Sequence, residues 1–183
     1  DLKPLDTLSQ YREVFTFPIE DYYKRVGFDF DKIPFSMLAH EYMEDYQEKS
    51  YACDLHSDVL DVVNKAKNLG FSQTVLSASK MDYLLKQMET LHVDDLFDSI
   101  YGINDIYAKS KVELAHAFKQ TCSLDDEIYF VGDSVHDYEV AKSIGAKCIL
   151  VTTGHQNRAT LESVNVPVMD SLMESLDLIY ERD

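Results

Sequence analysis

Apolar residues recur at helical spacing in the first quarter of the chain, then in short unbroken runs separated by further helical stretches. Phe35, Leu38, Tyr42 and Tyr46 follow a three- or four-residue period, predicting one amphipathic helix over 35–50. Two shorter helices are expected at about 7–14 and 19–26, with Pro18 suited to the first turn of the second. From residue 57 the rhythm alternates between helix and strand. A helix at about 57–69 carries Val59, Leu60, Val63 and Ala66 and stops at Gly70, a C-terminal capping residue. Thr74-Val75-Leu76 predicts a buried strand ending at Ser77. Further strands are expected at Ser99-Ile100-Tyr101, Ile128-Tyr129-Phe130-Val131, Cys148-Ile149-Leu150-Val151 and Val166–Val168. Helices fill the gaps at about 80–91, 111–120, 136–144, 156–164 and 171–181.

Continuous apolar strands alternating with helices imply a parallel sheet covered on both faces. The expected fold is therefore α/β, a Rossmann-like parallel sheet over residues 52–183, preceded by a small all-helical module over residues 5–51. In open sheets of this kind ligands bind beyond the carboxyl ends of the strands. That confines the chemistry to Ser77–Lys80, Asp105–Lys111, Gly132–Asp137 and Thr152–His155.

Composition narrows the partners. The 183 residues hold 17 Lys+Arg against 33 Asp+Glu, a formal charge of −16. Such a field repels nucleic acid and anionic membranes, so neither is an expected partner. An anionic ligand would need local help from lysine, backbone N–H groups or a metal. No apolar run is long enough to span a bilayer, and Asp1-Leu2-Lys3-Pro4 has no signal-peptide pattern. Cys53, Cys122 and Cys148 form no C-x-x-C pair, and they are expected to be reduced and buried in a cytoplasmic protein. A start at Asp1 rather than methionine points to a processed or truncated chain.

The sharpest chemical signal is Val131-Gly132-Asp133-Ser134-Val135-His136-Asp137. An apolar strand delivers a glycine, a carboxylate at its tip, and a second carboxylate in the first turn of the next helix. Two hard oxygen donors at one rim suit Mg²⁺. Equally, Asp133 or Ser134 could cap the helix while Asp137 favours its positive end. Ser77, at another strand end, can donate to a phosphate oxygen or cap a helix. Lys109 and Lys111 stand before the helix at 111–120, where a lysine can neutralise phosphate charge or merely face solvent.

A serine, then a lysine, then Gly-Asp-Ser-x-x-Asp, each at the same rim and in this order, is improbable by chance. In these segments the chain resembles the haloacid dehalogenase superfamily, and within it the phosphoglycolate-phosphatase-like branch with a helical cap. Thr74-Val75-Leu76-Ser77-Ala78-Ser79 matches the second motif, the Lys109/Lys111 region the third, and Gly132-Asp133-Ser134-x-x-Asp137 the fourth. The run Ala141–Ala146 and the segment Thr152-Thr153-Gly154-His155 fit the family's tail. The resemblance implies a Mg²⁺-dependent phosphatase acting on a small phosphomonoester through a phosphoaspartate. Ser77, with Ala78, would bind the phosphoryl group, and Lys111 or Lys109 would offset its charge. Asp133 would hold Mg²⁺, with Asp137 as a second or outer-shell ligand. Residues 5–51 would close over the site, where Arg12 and Phe15-Thr16-Phe17-Pro18 could touch the leaving group or the aromatics could simply pack on one another. His155 is expected to be a surface or capping histidine, and the chain a monomer or homodimer.

The family's first motif, a strand followed by Asp-x-Asp-x-Thr, has no counterpart. Asp29-Phe30-Asp31 follows no apolar strand and precedes Lys32-Ile33-Pro34, so it does not qualify. The missing strand is the family's central one, flanked by those ending at Ser77 and Val131. The chain is accordingly expected to be part of a longer phosphatase and, taken alone, to turn over little or nothing. The main alternative is a catalytically inactive relative that binds a phosphorylated ligand or a protein partner. A phospho-receiver domain shares the residue types, but its phosphorylated aspartate precedes the serine and lysine, the reverse of the order here.

Overall fold

The computed structural model describes residues 2–103 and 110–181. Three helices come first, α1 (Leu8–Val14), α2 (Ile19–Arg25) and α3 (Phe35–Ser50). The alternating portion follows as α4 (Val59–Asn68), β1 (Thr74–Lys80), α5 (Met81–Thr90), β2 (Ser99–Ile103), α6 (Lys111–Thr121), β3 (Tyr129–Gly132), α7 (Val135–Ser143), β4 (Lys147–Val151), α8 (Arg158–Glu162), β5 (Val168–Met169) and α9 (Leu172–Tyr180). The expected α/β fold is what forms, with every strand pairing parallel. Helix α4 ends as its sequence predicts: the N–H of Gly70 reaches Lys67 O and that of Phe71 reaches Ala66 O, the paired closure of a left-handed cap.

Among the described residues the strands fall into two groups, β1–β2 and β3–β4–β5, with no hydrogen-bonded ladder between β1 and β3. Shared helices hold the groups together. Alternate side chains of β1 go to opposite faces, as the pleat requires. Val75 packs with Leu84 and Met88 of α5, whereas Leu76 packs with Ala115 of α6 and Val140 and Ile144 of α7. Phe130 of β3 joins that second cluster, so β1 and β3 lie on the same helical layer. On the far side of β3, Cys148 and Leu150 of β4 pack against Ala141 and Leu161. Asp58, just before α4, accepts from the N–H groups of Leu172 and Met173 at 2.9 and 3.2 Å and so ties α4 to the start of α9.

Several expectations need correction. Strand β1 runs on to Lys80, because Ser77, Ala78 and Ser79 bulge opposite the single residue Gly102 before pairing resumes at Lys80 and Ile103. Helix α8 is shorter than 156–164, because Asn157 caps it by accepting from Thr160 N at 2.9 Å. Only Cys148 of the three cysteines is buried; Cys53 sits at the exposed end of α3. The aromatics of residues 5–51 do contact one another, yet Phe15 alone of them is buried, at 8% exposure. Of the stripe on α3, Phe35 and Leu38 are half-buried, with Phe35 against Tyr23 and Phe30, while Tyr42 and Tyr46 are exposed with their rings stacked 5.6 Å apart. No helix among the described residues is long and apolar enough to cross a membrane.

Candidate active site

Strand β3 ends at Gly132, and α7 begins three residues later. Ser134 is its N-cap, accepting from Asp137 N at 3.3 Å, and the Asp137 carboxylate returns the bond to the cap. One carboxylate oxygen, Oδ2, accepts from Asp133 N at 3.0 Å, Ser134 N at 3.1 Å and Ser134 Oγ at 2.7 Å. The other, Oδ1, accepts from Lys111 Nζ at 2.6 Å. Asp137 is 3% exposed. Burial alone would push its carboxyl up; the charge and hydrogen bond of Lys111, with those of Ser134 and Asp133 N, outweigh this and hold it below the usual carboxylate range. Close approach explains Gly132, since a Cβ there would lie 2.4 Å from Asp137 Cβ.

Lys111 is the first residue of α6, where Ser110 caps the helix by accepting from Glu113 N at 3.3 Å. Its ammonium lies 5.6 Å from the Phe130 ring centroid and pairs with Asp137. Of the two candidate lysines the structure describes this one; Lys109 lies outside the described residues.

Asp133 points toward the loop after β4. Its Oδ2 accepts from His155 N at 2.8 Å, while among the described residues Oδ1 carries no hydrogen bond. A Cβ on Gly154 would fall 1.7 Å from that Oδ2, so the loop can lie this close only as glycine. The same loop holds Gln156, 5% exposed, whose side-chain carbonyl accepts from Val135 N at 2.7 Å and satisfies an open N–H of the α7 start. Nothing in the sequence marks Gln156, because its partner is a backbone group 21 residues away.

Ser77 lies in the β1 bulge, where its Oγ accepts from Ser79 N at 3.1 Å and keeps its own proton to donate. Ala78 is exposed beside it. Arg12 does not reach out to solvent: Nε donates to Gly154 O at 2.9 Å and Nη2 to Thr153 O at 3.2 Å. His155 is held by α1, bonded through Nδ1 to Tyr11 Oη at 2.7 Å and stacked on Phe15 at 4.8 Å. Asp29-Phe30-Asp31 lies in the turn between α2 and α3, on no strand, with Asp29 paired to Lys32.

Mg²⁺ favours oxygen donors and keeps several waters. Asp133 Oδ1 is open to such an ion, whereas both oxygens of Asp137 already carry protein donors, which suits Asp137 to bracing the turn. Among the described residues no three His, Cys, Asp or Glu side chains converge on one point. Among the described residues Asp133 thus offers a cation one open carboxylate oxygen, and the rest of the shell would be water, substrate oxygen and other carboxylates.

The family profile of haloacid dehalogenase-like hydrolases matches residues 3–151. No curated protein matches the chain in sequence. Solved structures share its fold. A haloacid dehalogenase-like family hydrolase from Streptococcus pneumoniae superposes with a TM-score of 0.81 at 20% identity, over 97% of this chain and 83% of that one. A protein described as a predicted phosphatase from Clostridium acetobutylicum gives 0.77 at 20% identity over the same shares. One described as a predicted phosphoglycolate phosphatase from Haemophilus somnus gives 0.62 at 16% identity, over 87% of this chain and 76% of that one.

Proposed function

The chain belongs to the haloacid dehalogenase-like hydrolase family, and from that premise we propose that its site serves a phosphatase acting on a small phosphomonoester with the help of Mg²⁺. The observation that carries this reading is the buried Lys111–Asp137 pair set beside the open carboxylate oxygen of Asp133 at a strand tip. In a strongly acidic protein, a lysine placed among carboxylates at the strand ends is the local cation that a phosphoryl group requires. Two solved structures that share the fold are described as phosphatases, which agrees with it.

Each residue then has a task. The Ser77 hydroxyl donates to a phosphoryl oxygen, and the N–H groups of the bulge around Ala78 lie beside it. The Lys111 ammonium offsets the charge on the transferring group while remaining paired with Asp137. Asp137 fixes the Asp133 and Ser134 amides and so holds the turn in place. Asp133 is the residue that would hold Mg²⁺, which when bound stabilises charge on the phosphoryl oxygens. The resemblance puts the phosphoryl acceptor on a strand between β1 and β3. Two features agree with a strand there: among the described residues no ladder joins β1 to β3, and the apolar Val131 of β3 is 37% exposed. Residues 5–51 form the cap in this reading and keep water from the reacting group.

The test is hydrolysis of p-nitrophenyl phosphate, with and without Mg²⁺, by the protein that carries the acceptor strand as well as this chain. Mg²⁺-dependent turnover that Asp133→Ala abolishes supports the phosphatase. Saturable binding of inorganic phosphate without turnover would favour a non-catalytic phosphate binder. Turnover unchanged in Asp133→Ala sinks the metal assignment.

A further inference from the structure

Among the described residues, the hydrogen bonds that α1 makes to the alternating portion of the chain end in the loop 153–157. Arg12 donates to Gly154 O at 2.9 Å and Thr153 O at 3.2 Å, Tyr11 Oη bonds His155 Nδ1 at 2.7 Å, and Asn157 Nδ2 donates to Arg12 O at 3.4 Å. Phe15, the buried aromatic of the module, stacks its ring on the His155 ring at an interplanar angle of 22°.

Lys24, Lys32 and Lys49 of the same module each pair with a nearby carboxylate, whereas the Arg12 guanidinium takes two backbone carbonyls and, among the described residues, no acid. Two donors from a planar group, one to each of two consecutive carbonyls, fix the position and tilt of that stretch of loop. The loop so fixed is the one that touches Asp133, whose carboxylate accepts from His155 N at 2.8 Å and leaves no room for a side chain on Gly154.

We propose that Arg12 and Tyr11 are positioning residues: docking of α1 sets the loop 153–157, and the loop aims the Asp133 carboxylate for its ligand. This rests on the reading of Asp133 as the metal-holding residue. Its consequence is that the helical module and the cation bind cooperatively, because each favours the same placement of one loop.

Two readouts test it on the full chain. The first is amide hydrogen exchange at His155, with Leu150 in the fully buried part of β4 as reference. The second is affinity for Mn²⁺ as a paramagnetic probe, followed by electron paramagnetic resonance. In Arg12→Ala and in the milder Tyr11→Phe, exchange at His155 should rise while that at Leu150 stays as in the parent. Mn²⁺ should bind about 10-fold more weakly in Arg12→Ala, the low end of what loss of an outer partner costs a metal site. Asp133→Asn should lose Mn²⁺ altogether. Unchanged exchange at His155 overturns the proposal. So does unchanged Mn²⁺ affinity in Arg12→Ala when Asp133→Asn has lost the ion. Should Asp133→Asn bind Mn²⁺ like the parent, the metal assignment is what fails. The positioning claim is then decided by the ¹³C shift of the Asp133 carboxylate, which must move in Arg12→Ala.

Discussion

Lys111→Met isolates the interaction that organises the site. The side chains of Lys111 and Asp137 are 19% and 4% exposed, and their 2.6 Å contact lies largely out of solvent. Methionine keeps an unbranched stem of similar length and removes the charge together with its hydrogen bond to Asp137. What remains is a buried carboxylate with its three Oδ2 donors and no cation. Breaking a buried pair from one side costs about 3–5 kcal/mol, and the surviving donors argue for about 3. For a chain of this length that lowers the melting temperature by about 6–12 °C. Thermal and urea unfolding followed by circular dichroism at pH 7 measure it. Removing the charge as well, in Lys111→Met with Asp137→Asn, should restore more than half of the loss. The pH dependence has a definite sign. The Asp137 carboxyl sits below its ordinary value of 3.8 in the folded chain, so the stability it contributes is present above that pH and lost as the pH falls toward the lowered value. The gap between parent and Lys111→Met is therefore full at neutral pH and narrows in acid. A cost under about 1 kcal/mol with no change in acid would mark a solvent-screened pair and refute the argument.

Other outcomes follow from the same geometry. Gly154→Ala drives a Cβ into the Asp133 carboxylate, so the loop must shift. The expected cost is about 1–3 kcal/mol by chemical denaturation, with loss of the His155 N–H to Asp133 bond visible as faster amide exchange. The Cys148 thiol is pushed up to about 12, chiefly by burial and then by the Asp137 charge. Ellman's reagent at pH 8 should therefore label the exposed Cys53 in the native protein and reach Cys148 only after denaturation. Leu150→Ala empties a fully buried position beneath Ala141 and Leu161, and should cost about 2–5 kcal/mol in the same unfolding assay.

The order of helices and strands was legible because each depends on a local period. The helix over 35–50 and the strand at Cys148–Val151 come from side-chain spacing alone, and Gly70 stops a helix by its own backbone freedom. Chain order singled out Ser77, Lys111 and Asp133 as residues near strand ends, and of these the structure links Lys111 to the turn that carries Asp133, through Asp137. Other features depended on distant backbone groups or on the space around a side chain, which spacing does not encode. The bulge at Ser77–Ser79 answers to Gly102 in another strand, and the choice of Lys111 over a free surface position depends on a buried carboxylate 26 residues away. The roles of Gln156 and Arg12 depend on single backbone atoms across the molecule. The apolar stripe on α3 carries the period for burial, yet only Phe35 and Leu38 are half-buried while Tyr42 and Tyr46 stay exposed, since a period states that one face is apolar and says nothing about how much of it finds a partner. Local sequence determined which elements form and which chemical groups stand at their ends. Packing decided which groups are neutralised, which carboxylate oxygen stays open, and which helix is tied to it, because those outcomes turn on distances between atoms remote in the chain.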